Sequence, residues 1–104
     1  MNSRTFEQHT EEILRECMSA LGCKAGEYAA DDDRLHNFRV AAGLQQTTPV
    51  GALGGMMAKH TISVYDMIRG DERGVVYPIT LWAEKIKDHI NYLLLLWAAV
   101  QEGK

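Results

Sequence analysis

The chain has 104 residues, 46% of them hydrophobic and 24% charged, with nine Gly and two Pro; this fits one globular domain and excludes a disordered or low-complexity chain. Fourteen acidic against eleven basic side chains leave a formal charge of −3, which excludes a broad basic surface for coating a nucleic-acid backbone.

Helical periodicity runs through the chain and no segment alternates apolar and polar residues as a half-buried strand would, so the expected fold is all-α. We expect a single domain over 1–104, a small four-helix bundle-like unit with helices at about 5–22, 33–44, 48–69 and 79–101. In the first, Thr5 and Gln8 have the spacing of a capping box, and Phe6, Ile13, Leu14, Cys17, Met18 and Leu21 form an apolar stripe. Cys17 and Cys23 match neither a disulfide framework nor a zinc spacing, and Cys17 reads as a small buried hydrophobe. The aspartates at 31–33 can cap a second helix that buries Leu35, Phe38, Val40 and Ala41. Thr47 or Thr48 before Pro49 starts the third, because proline at the first helical position loses no hydrogen bond. GDERGVVY, before Pro78, reads as a surface loop. The last helix sets Trp82, Ile86, Ile90, Leu93, Trp97 and Val100 on one broad apolar face. Its Leu93 to Val100 run is far shorter than the ~20 residues of a membrane span, and the N-terminal segment has no signal-like apolar run, so the expected location is the cytoplasm.

Chemistry concentrates in three places. Glu84, Asp88 and Asn91 fall at i, i+4 and i+7 of the last helix and share one face. Two carboxylates one turn apart, then an amide, then four leucines, set acidic oxygens at the edge of an apolar core, where a cation or a basic partner must offset the cost. Such oxygens suit Mg²⁺ shared with substrate phosphates. The same run, with Lys85 and Lys87 interleaved, also fits a solvated face with pairs such as Glu84 with Lys87. On the third helix Lys59, Ser63 and Asp66 repeat that spacing; Lys59 fits either a phosphate or, like Arg69, an interhelical ion pair. His60 has no second histidine at ligand spacing and reads as a packing or exposed residue. The glycines of GALGG read as close helix contact, not as a phosphate loop. In the third cluster Glu27 and Asp32 are candidate metal ligands, Arg34 a phosphate ligand, Tyr28 or Phe38 a stacking surface and Asn37 a base-edge partner; the same stretch also fits a capped turn.

Together the motifs K-x-x-EY-x-x-DDDR-x-HNF, GMM-x-KH-x-x-S-x-x-D and EK-x-x-D-x-x-NYLLLL resemble a group of small phage and prophage proteins related to the nucleotide modification associated domains. In that group an EYA-like turn, a lysine-bearing middle helix and a D-x-x-x-D-x-x-NY helix recur, which correspond here to Glu27 and Tyr28, to Lys59, and to Glu84, Asp88, Asn91 and Tyr92. More loosely, the chain resembles the all-α nucleotide pyrophosphatases of the MazG and dimeric dUTPase kind, although those pair E-x-x-E with E-x-x-D where this chain has E-x-x-x-D.

The resemblance implies a phage-type nucleotide-binding protein with Mg²⁺-dependent phosphohydrolysis as its activity. Glu84 and Asp88 would be catalytic and, with Glu27 and Asp32, hold the cation; Lys59 and Arg34 would hold phosphate, and Asn37, Asn91 and Tyr28 the nucleoside. The same pocket would serve a non-catalytic protein that sequesters a nucleotide signal or, through its acidic surface, a host defence inhibitor. A chain this short with two Trp, five Met and many Leu is also expected to form a homo-oligomer, without membrane or extended nucleic-acid contact.

Overall fold

Three of the four helices among the described residues have an end closed by a short polar side chain or by a left-handed backbone position, and the fourth begins directly after Pro78. The computed structural model describes residues 1–28 and 33–103, with residues 23–28 as backbone only. Helix α1 spans Ser3–Tyr28. Its first turn is capped by Asn2, whose Oδ1 accepts the Thr5 N–H at 2.8 Å, so the start lies ahead of the expected Thr5 box. It runs on through Gly22 and Gly26, since interior glycine costs a helix about 1 kcal/mol without ending it.

Helix α2 spans His36–Gln45, three residues later than expected at its start. Asp33 caps the preceding turn by accepting the Leu35 N–H at 3.0 Å, and it binds Arg39 through both oxygens, at 2.9 and 2.8 Å. Arg39 also donates to Glu102, which ties the start of α2 to the far end of the chain. Gln46, in the left-handed region at φ 56°, closes α2.

Helix α3 spans Pro49–Glu72, with Pro49 at its first position and Thr48 Oγ1 accepting the Gly51 N–H at 3.0 Å. It outruns the expected end and takes in Gly70, which is buried, with the hydroxyl end of Tyr77 where a side chain would stand. Gly74, at φ 90°, then reverses the chain and lets the Val75 N–H reach the Gly70 carbonyl at 2.9 Å. Helix α4 spans Ile79–Glu102, and Trp82 in its first turn meets the Tyr77 ring edge-to-face at 5.8 Å.

The helices pack as a series, α2 on α3, α3 on α4 and α4 on α1, an all-α bundle-like domain with no strand among the described residues. Leu35, Phe38, Leu53 and Ala99 form the core, backed by Met56, Tyr92, Leu95 and Leu96. Cys17 is fully buried between α1 and α4, where burial pushes its thiol pKa up. Several expected core positions are not core. Phe6, Leu14 and Met18 on α1, Val40 on α2, and Leu93, Trp97 and Val100 on α4 stand exposed, while Ala42 takes the buried place given to Val40. The serial arrangement explains this, since each helix covers one or two sides of its neighbours and leaves the rest of a broad stripe open. The GALGG expectation is also corrected: nothing comes within 4 Å of a Cβ placed on Gly54 or Gly55, and the close approach is made by Ala52 and Leu53. No helix among the described residues is long and apolar enough to cross a membrane.

Truncating Leu53 to Ala should cost about 3 kcal/mol, read by urea denaturation followed at the helical circular-dichroism band. Arg39, and after it the Leu35 N–H, holds the Asp33 carboxyl down to about 2. A lowered folded-state pKa gives stability that is fully present above the unfolded value of about 3.9 and lost as pH falls through the folded value. The difference in melting midpoint between wild type and Asp33→Asn should therefore be constant from neutral pH down to about 5 and vanish towards pH 2.

Candidate functional site

Helix α3 faces α4 along a seam in which Leu53, His60 and Met67 stand seven residues apart. Leu53 and Met67 are buried there as expected of such positions, and His60 brings a polar ring to the place between them. The ring lies 4.6 Å from the Tyr92 ring, tilted by 30°, and its Nδ1 is 4.0 Å from the Asp88 carboxylate. Tyr92 continues the stack to Phe38, edge-on at 6.3 Å. Burial first, and the negative charge of Asp88 second, push the Tyr92 phenol above its usual pKa. One residue before Tyr92 and one turn beyond Asp88, Asn91 is 5% exposed. Its Oδ1 has no hydrogen-bond partner among the described residues, a costly state for a buried carbonyl.

Glu84, Asp88 and Asn91 do share one face of α4 and descend along it: Glu84 is exposed, Asp88 partly buried and Asn91 buried. Lys87 pairs with Glu16 of α1, at 3.9 Å, in place of the expected Glu84. On α3, Lys59 is exposed next to His60, Ser63 is half-buried, and Asp66 pairs with Arg69 at 3.7 Å, so Arg69 serves its own helix and not α4. Arg34 donates to the Leu21 carbonyl at 3.0 Å and joins α1, seven residues before its end, to the turn before α2. Asn37 is exposed on α2. The side chains of Glu27 and Tyr28, and Asp32 altogether, lie outside the described residues.

The structure thus joins Asp88 and Tyr92 to His60, a residue whose spacing in the sequence points to no ligand set. The signal that could have found it is its seven-residue spacing from Leu53 and Met67, an imidazole at a seam position flanked by apolar ones. Among the described residues no three His, Cys, Asp or Glu side chains converge on a point where one metal ion could sit; of the four expected Mg²⁺ ligands, Glu84 and Asp88 have described side chains, and they share one face of α4. What the seam brings together is a carboxylate, an imidazole and a phenol, with the buried Asn91 amide next along α4 and the exposed Lys59 next to His60 on α3.

Replacing Asn91 by Leu, of similar volume, removes the unpaired carbonyl. The unliganded protein should then be as stable as wild type or up to about 1 kcal/mol more stable in urea, whereas a loss would mean that the amide has a structural duty. No family model matches the chain, and neither does any curated protein or solved structure.

Proposed function

We propose that this chain is a phage-type nucleotide-binding protein that takes its ligand at the α3–α4 seam, in the cytoplasm of the host cell. The observation that carries the reading is the buried, unpaired Oδ1 of Asn91 one turn from the Asp88–His60–Tyr92 group. A buried acceptor without a partner is unfavourable unless a ligand supplies a donor, and the exocyclic amine of a nucleobase is one. His60 and Tyr92 already stack on each other, and bases stack on aromatic rings of this kind, so a base would extend that stack from an outer face. Lys59, exposed beside His60, provides a point charge for phosphate. The resemblance to the nucleotide modification associated group runs through the same residues, Lys59, Asp88, Asn91 and Tyr92.

Hydrolysis of the bound nucleotide is the activity this reading implies, with Asp88 and Glu84, helped by Glu27 and Asp32, as the ligands of Mg²⁺. When bound, the cation would neutralise phosphate charge and lower the pKa of a coordinated water. The chain's own groups would fix the base through Asn91, orient it against His60 and Tyr92, and hold phosphate through Lys59. Sequestration without turnover is the second reading, which the same group of side chains would serve.

The test is a panel of ribo- and deoxyribonucleotides with Mg²⁺ or EDTA, followed by melting temperature and product formation, on wild type and Asp88→Ala. A nucleotide at a hundred times its dissociation constant should stabilise the fold by about 2.7 kcal/mol. Mg²⁺-dependent product that disappears in folded Asp88→Ala assigns hydrolysis; stabilisation without product assigns sequestration. Silence in both readouts with every nucleotide overturns the proposal and moves the protein towards the inhibition of a host protein.

A further inference from the structure

Helix α4 meets α1 on one side and α3 on another and keeps a third side open. Along it Ile79, Ile86, Leu93 and Val100 recur every seven residues, with Trp82 and Trp97 between them. Ile79 is 79% exposed, Trp97 63% and Leu93 47%, while Trp82 and Ile86 are half-buried. No Asp, Glu, Lys or Arg interrupts this stripe. Soluble chains seldom leave a continuous apolar strip of this length in water, and a seven-residue repeat is the spacing at which one helix lies along another.

The overall surface points the same way. The chain exposes 7476 Å², whereas a folded monomer of its mass is expected to expose about 5,900 Å². Its radius of gyration is 15.8 Å against about 13 Å for a compact domain of this length. The excess of about 1,600 Å², spread over the whole chain, leaves room for the roughly 800 Å² that each partner buries in a standard stable interface, and the α4 strip is the part of it with a seven-residue apolar repeat. A strip that repeats an aliphatic residue at every seventh position also complements itself when turned about a two-fold axis, with no charge pattern that would select an acidic or basic partner.

We propose that the open face of α4 is the interface through which two copies of this chain form a two-fold dimer. By helical geometry the face lies on the side of α4 roughly opposite Asp88, so the seam site stays open in each protomer and the inference stands apart from the ligand-binding reading.

Light scattering and sedimentation at micromolar concentration should give twice the 11.7 kDa mass of the single chain. Leu93→Glu and Trp97→Glu, with helicity checked by circular dichroism, should weaken the dimer at least about 100-fold, because each buries a charge in the contact. Ile62→Glu, on an exposed part of α3, should leave it intact. If the α4 variants fail to fold, wild type decides alone: its melting midpoint should rise with concentration and its tryptophan emission move to the red on dilution. A single-chain mass at every concentration, a melting midpoint independent of concentration, or a dimer that survives both folded α4 variants would overturn the proposal. So would a monomer whose tryptophan emission shifts to the blue only with phosphatidylcholine vesicles, which would assign the face to lipid.

Discussion

The burial of Leu53 at the junction of α2, α3 and α4 is the constraint on which the rest of the structure depends. It loses all its accessible surface among Leu35, Phe38 and Ala99. That contact fixes how closely α3 lies on α4 and which side of α3 faces it. Seven residues on, the same side presents His60, so the position of the imidazole against Asp88 and Tyr92 follows from hydrophobic packing two turns away. Tyr92 belongs to both regions, touching the core cluster and stacking on His60.

Polar groups close the ends of this arrangement. Arg39 gathers Asp33 and Glu102, which come from opposite ends of the described core, and holds α2 over the last turn of α4. All three are exposed or nearly so, so their attraction acts in high dielectric and serves to orient α2 more than to stabilise it. Lys87 and Glu16 do the same for α1, next to the buried Cys17. The molecule is thus tied by charge at its flanks and by aliphatic packing at its centre.

The four helices and their order were legible because each carries a strong local signal: Thr48 before Pro49, Pro78 before α4, and apolar residues at three- and four-residue steps. The ends were less so. Asn2 is as good a cap as Thr5, and of the two glycines that could end α3 it is Gly74, at φ 90°, that does so and not Gly70. Periodicity marks a face as apolar without saying what covers it, so Leu35 and Phe38 were legible as core while Trp97 and Leu93 were assigned to a core that does not reach them. In the candidate site Glu84, Asp88 and Asn91 share a face as their spacing requires, yet their descending burial and the approach of His60 depend on how two distant segments pack, which no local pattern encodes.

The contrast between the glycines of α3 bears on how freely this sequence can vary. Gly70 has the Tyr77 ring against it and admits no side chain without moving that ring, whereas a methyl group on Gly54 or Gly55 would meet nothing within 4 Å. Alanine at each of those two would favour the helix by roughly 1 kcal/mol. The chain therefore holds stability in reserve beside its own core, and the middle of α3 is where drift or design can make it sturdier without disturbing Leu53 or His60.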